Sequence, residues 1–347
     1  MYRYDDFDEL NDLENLPRVK NMAPPRSDQG KKFNPNHKPK VDPEQIAAGL
    51  EAQRDDMHVY PFTYDASRHE RVWITASLGA FYEMHWFSDV LRLVRGGKEA
   101  SVYQCAVSDV SPVKARYLAA KIYRPRMFRN LRKDHLYREG REELDIDGNI
   151  IRNHGMQHAM AKRTEYGQQL LHTSWIGYEL QALQALHAAG ADVPQPFASG
   201  DNAILMTYLG GDESAAPTLN TVELTASEAR LLFQRLLHNV EIMLAHGLVH
   251  GDLSAYNVLY WEGEVTLIDF PQVISPRFNS NAYRIFERDL TRLCEYFNRQ
   301  GVRSDPPRLA SRLWSANHYR RGPEVDLRLL DAEDERDRKY WERQKRE

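Results

Sequence analysis

The chain has 347 residues, 42% of them hydrophobic, which is enough to pack one large domain or two modest ones. A formal net charge of -4 argues against a protein that holds nucleic acid by bulk charge, and Cys105 and Cys294 lie outside any CxxC pair or Cys/His cluster, so neither structural zinc nor a disulfide framework has a basis. No apolar run reaches membrane-spanning length and the acidic opening MYRYDDFDEL is unlike a secretory signal, so a cytoplasmic protein with no membrane partner is expected.

Residues 1–60 are polar and proline-marked and read as a largely disordered leader, with a short helix over 43–54 started by Asp42-Pro43-Glu44. Apolar spacing in VWITASLGAFYEMHWF predicts a helix over 72–87. DVLRLVRGGKEASVYQCAV then reads as strand, glycine turn, strand, and YLAAKIY as a third strand carrying Lys121. Residues 124–164 are dense in charge and poor in apolar periodicity, which suggests a mobile or partly helical insertion.

A helix is expected over 168–189, stopped by Gly190, and an extended passage follows at Pro194 and Pro196. ILMTYLG (204–210) reads as a buried strand entering a linker, and an amphipathic helix is expected from Ser227 to about His246. Leu248-Val249 leads into a loop and two short strands, Val258-Leu259 and Val265 to Ile268, follow it, which suggests a loop clamped by short strands; a further helix is expected over 283–298. Residues 326–347 form a charged tail, read as a solvated helix.

Phosphoryl transfer from ATP needs a metal against the phosphates, a carboxylate to orient the attacking hydroxyl, and a cation on the nonreacting phosphates. His250-Gly251-Asp252 followed by Asn257 has the H-x-D-x-x-x-x-N spacing in which the aspartate orients the hydroxyl and the asparagine carbonyl ligates magnesium. Asp269 follows the second short strand, in the place of the aspartate of a DFG segment, but Pro271 stands where that segment has glycine. Upstream, Lys121 on its strand and Glu179 on the next helix make a candidate ion pair for the α- and β-phosphates. The turn RGGKEASVY lacks the full G-x-G-x-x-G pattern; its amides, with Lys98 and Ser101, are candidates to line the phosphates.

Each piece has an ordinary explanation: a Gly-Gly between strands is usually a turn, a lone lysine or glutamate a surface charge, an aromatic stripe core. Their joint order, each on an element that suits its role, favours chemistry.

On GGKEASVY, AAKIYRP, VHGDLSAYNVLY, IDFPQ and NAYRIFERDLTRLCEYF, the sequence resembles the RIO family of atypical serine/threonine kinases from about Asp89 to Phe297. The resemblance implies an α+β, two-lobed kinase-like fold with a β-rich N-lobe (about 72–206) and a short, mainly helical C-lobe (about 211–325) within a kinase domain over 61–325. It implies Asp252 as the active-site aspartate, Asn257 and Asp269 as metal ligands, Lys121 paired with Glu179 as the phosphate ligand, and Thr207 and Leu209 as hinge residues meeting adenine with Met206 behind them. The cofactors implied are ATP and magnesium, with manganese as the alternative ion. The family also implies that Asp269 can take up phosphate as an aspartyl-phosphate, so kinase and ATPase readings both stand.

No counterpart of the winged helix of one branch of the family is recognisable before Val72, and no Ala-Pro-Glu segment follows IDFPQ, so peptide recognition of the ordinary kinase kind is not expected; the protein acceptor is unknown, and a ribosomal or RNA partner stays open without sequence support. Two rival readings remain open: a small-molecule kinase of the aminoglycoside or choline type, which shares HGD followed by asparagine, and a nucleotide-binding scaffold.

Overall fold

The computed structural model describes residues 60–97, 99–124, 137, 139–145, 148–162, 164–200 and 202–320. Lys98, the helix expected over 43–54, all but the end of the leader, and the 326–347 tail lie outside these residues.

The first helix, α1 (Arg68–Glu83), begins where the Ser67 hydroxyl accepts the Glu70 N–H, and it buries Ile74, Leu78 and Phe81. It starts earlier and stops sooner than the apolar spacing predicts. His85 adopts a left-handed φ of 57°, the chain reverses, and Phe87 opens a strand instead of continuing the helical stripe. Periodicity cannot register a reversal that leaves apolar residues on both sides of it.

Strands β1 (Phe87–Gly96), β2 (Ala100–Val107), β3 (Tyr117–Tyr123), β4 (Pro196–Ser199) and β5 (Ala203–Thr207) form an antiparallel sheet in the order β1-β2-β3-β5-β4. β4 occupies the passage read only as extended; its leading proline is tolerated because the strand lies at the sheet edge. Central β3 is covered on both faces, so its sequence is nearly continuous in apolar residues. Leu118, Ala120 and Ile122 pack with α1 in the upper core, which also takes in Tyr60, stacked on Tyr82 at 4.4 Å. The ordered core therefore reaches the last residue of the expected leader. Ala119, Lys121 and Tyr123 face the other way, toward the site.

Within the charged insertion, α2 (His154–Lys162) leads into the 24-residue α3 (Glu165–Ala188), and Ile151, Met160 and Leu171 make a small core of their own. The lower lobe holds α4 (Ala226–Ala245), the hairpin of β6 (Val258–Trp261) and β7 (Glu264–Leu267), α5 (Ala282–Arg299) and α6 (Pro306–Ala316). α4 is started by Thr225 in a capping box with Glu228, not by Ser227. α6 is a helix that the sequence reading did not name, after the one expected over 283–298; it opens on Asp305-Pro306, and its Trp314 is buried against Tyr283 and Phe286.

Candidate active site

Strand alternation decides which side chains meet in the cleft between the lobes. Val102 pairs with Lys121, Lys121 with Ile204 and Ala119 with Met206, so these share the face turned toward α3 and the lower lobe. Ser101 is one position out of phase: it is buried on the α1 face with Tyr103 and Cys105, so its hydroxyl does not point toward the Lys121 face. A phosphate role for the Ser101 side chain is therefore not supported by its placement.

Lys121 Nζ lies 2.6 Å from Glu179 Oε1 and 2.7 Å from Asp269 Oδ1, joining strand, helix and lower lobe at one ammonium. Glu179 is 1% exposed, and its other oxygen accepts the Tyr123 hydroxyl at 2.7 Å. Burial alone would lower the Lys121 pKa; the two carboxylates overturn that and raise it above the ordinary lysine value. For Asp269, partial desolvation acts upward, but Lys121 holds the carboxyl below its usual value. Asp269 itself takes a left-handed φ of 71°, a conformation that aspartate tolerates better than most residues.

The loop carrying Asp252 is stitched to the segment carrying Asp269. Val249 and Ile274 exchange two backbone hydrogen bonds of 2.9 Å, Ile268 N–H donates to Asn257 O at 3.0 Å, and His250 Nε2 lies 3.2 Å from Ile268 O. Asn257 Nδ2 donates to Asp252 O and Oδ2, at 2.8 and 3.1 Å, while Arg292 of α5 holds Asp252 Oδ1 at 2.9 Å.

Gly251 explains why no larger residue sits before Asp252. Its φ is +86°, and a Cβ there would fall 2.1 Å from Gln272 O. Its N–H donates to Asp289 Oδ2 at 2.9 Å and its carbonyl accepts from Arg288, which also pairs with Asp289 at 2.7 Å. Burial pushes the Asp289 carboxyl up, opposed by Arg288. Asp289, Arg288 and Arg292 escaped the sequence reading. The available signal was Asp289 itself, a carboxylate set in the apolar stripe of Ile285, Phe286, Leu290 and Leu293.

The donors left over suit a hard cation. Among the described residues neither Asn257 Oδ1 nor Asp269 Oδ2 accepts a hydrogen bond, and no cluster of three His, Cys, Asp or Glu side chains offers an all-protein cage. One carboxylate and one amide oxygen beside a phosphate site fit magnesium, which fills its remaining positions with phosphate oxygens and water.

Where β5 ends, at the expected hinge, the Thr207 N–H donates to Gln195 O at 2.9 Å and the Leu209 carbonyl accepts from Ala216. The Leu209 N–H takes no hydrogen bond among the described residues, and Met206 is buried behind it.

A family model described as the RIO domain matches residues 101–309. The RIO-type serine/threonine-protein kinase Rio1 of Haloferax volcanii is 31% identical over 217 residues, 60% of this chain and 63% of that protein. The protein of the same description from Thermoplasma acidophilum is 29% identical over 135 residues, 39% of this chain and 69% of its own. The human serine/threonine-protein kinase RIO1 is 30% identical over 130 residues, 37% of this chain and 23% of its own length.

Proposed function

Because the chain belongs to the RIO family, we propose that it transfers the γ-phosphoryl group of ATP to a serine or threonine hydroxyl of a protein, in a kinase domain over 61–325. The observation that carries this reading is the Lys121 ammonium held between Glu179 and Asp269, with the Asp252–Asn257 pair tied to the same segment through the Ile268 N–H to Asn257 O hydrogen bond. Lys121 supplies a fixed charge for the α- and β-phosphates, and Leu209 N–H and the Thr207 backbone meet the adenine edge with Met206 behind. Asp252 orients the acceptor hydroxyl and takes up its proton as the oxygen attacks the γ-phosphorus and ADP leaves. Asn257 and Asp269 would hold magnesium, which when bound neutralises charge on the transferring group. Since the sites are oriented before reaction, catalysis rests on positioning and charge. The cytoplasm, which supplies ATP, is the compartment we propose, and two free, buried thiols suit it.

A second outcome has its own support. Both Asp252 oxygens are engaged, by Arg292 and Asn257, whereas Asp269 Oδ2 is open on a side chain 42% exposed. Attack by that oxygen on the γ-phosphorus would expel ADP and leave an aspartyl-phosphate for water to hydrolyse, an ATPase cycle. Family membership favours either over the small-molecule kinase alternative.

Incubation with γ-labelled ATP and magnesium separates the two. Acid-stable label lost in Asp252→Ala marks hydroxyl transfer; hydroxylamine-labile label lost in Asp269→Asn marks the aspartyl-phosphate. Absence of magnesium-dependent nucleotide binding in the wild-type chain would sink both.

A further inference from the structure

Between Asp269 and α5 the chain has only residues 270–281, and Pro271 brings no N–H to that stretch. Two of its carbonyls are nevertheless satisfied from outside. Arg141, within the charged insertion, donates from Nε to Val273 O at 3.1 Å and from Nη2 to Pro271 O, at 3.0 Å, and to Val273 O. The same guanidinium lies over the Tyr178 ring at 4.7 Å, one residue before Glu179. Next to it, Gly140 packs so tightly on the loop before α5 that a Cβ would fall 2.5 Å from Phe278 O. On its other side the Leu144 N–H donates to Ser174 of α3 at 2.8 Å.

We infer that the segment 139–145 is a built-in strap and that Arg141 is a positioning residue. It couples the helix carrying Glu179 to the backbone that presents Asp269. The inference rests on the phosphotransferase reading and deepens it. An arginine suits the task because its planar fork can reach two carbonyls at once while its face stacks on an aromatic ring; a lysine offers one point charge. The charge density that reads as a solvated loop is, at this position, the means by which two carbonyls of a short segment are fixed. Glu139 adds to the seat by accepting from Ser280 at 2.8 Å.

The test uses the full chain with Arg141→Ala and Arg141→Lys, ATP and magnesium. Nucleotide binding is measured against magnesium concentration and without metal. Loss of the strap is expected to raise the magnesium needed for half-saturation about tenfold, the scale of one charge-assisted hydrogen bond. Metal-free ATP affinity should stay within about twofold, since Lys121 and the hinge are untouched. Arg141→Lys should fall between wild type and alanine, and millimolar guanidinium should restore the alanine variant, which shows at once that it is folded. An alanine variant with wild-type magnesium dependence overturns the strap while leaving the kinase reading standing. Equal loss of metal-free and metal-dependent binding, without guanidinium rescue, reduces Arg141 to a folding residue and also overturns it. A wild-type chain that binds no nucleotide in magnesium removes the kinase reading, and the strap's catalytic meaning with it.

Discussion

Replacing Gly251 by alanine adds one methyl group to the residue before Asp252, and its cost can be worked from two distances. The new Cβ would lie 2.1 Å from the Gln272 carbonyl oxygen, where contacts under 3.0 Å are essentially never seen, so the two backbones must part by about 0.9 Å. A left-handed φ costs a non-glycine residue about 1–2 kcal/mol, and forcing a packed backbone aside adds about 1–3 kcal/mol, for a total of about 2–5 kcal/mol. Gly251 adjoins Asp252 and Gln272 lies three residues past Asp269, so the strain separates the carboxylate proposed to orient the acceptor from the one proposed to hold the metal. A displacement near 1 Å at such a site costs about a hundredfold in rate. Gly263 is the control: its φ of +85° is the same, yet nothing lies within 4 Å of a Cβ there. Thermal melts and γ-phosphate turnover of Gly251→Ala and Gly263→Ala should therefore separate, with only the first losing activity. Equal losses in both would show that backbone conformation alone, and not the Gln272 contact, governs the position.

Asp289→Asn keeps an acceptor for Gly251 N–H but removes the countercharge of Arg288, and should destabilise the fold by about 2 kcal/mol, after allowing for partial exposure of Arg288; a denaturant midpoint unchanged from wild type would contradict this. Ser101→Ala should leave ATP affinity within about twofold, because that side chain faces α1; a larger loss in a nucleotide titration would return it to the cleft. Lys121 has a folded pKa raised above its unfolded value, so its stabilising contribution is full below the unfolded value near 10.5 and disappears as pH rises through the higher folded one. The melting difference between wild type and Lys121→Met should accordingly be constant from pH 7 to 9 and shrink only in strong alkali. Thr225→Ala removes the hydroxyl half of a capping box and should cost about 1 kcal/mol in a thermal melt with turnover per folded molecule unchanged.

How much of this was legible follows from what kind of signal each part leaves. Asp252, Asn257 and Asp269 stand out because the H-x-D-x-x-x-x-N spacing and an aspartate just past a short strand occur together, and the structure joins Asp269 to Lys121 and Glu179 and the Asn257 backbone to Ile268. The α+β architecture was readable from β3 and from the stripes of α3, α4 and α5. The side on which Ser101 lies was not legible because a motif position says nothing about strand face; pairing with Ile122 decides that. Arg141 and Asp289 act through partners more than a hundred and nearly forty residues away, respectively, and local periodicity holds no record of such distances. The boundary near Phe87 went astray because a single left-handed residue, His85, overrides an apolar pattern that runs straight through it.

The reciprocal hydrogen bonds between Val249 and Ile274 close a ring of chain that contains Asp252, Asn257 and Asp269 together. Opening the cleft stretches the Lys121–Asp269 link between lobes and leaves the interior of that ring alone. In the proposed reaction the lower lobe would serve as a template whose spacing persists between turnovers, and the sheet above it as a detachable cover. Spent nucleotide would then depart by parting the cover from the template, with no need to dismantle and reset the groups proposed to orient the next phosphoryl group.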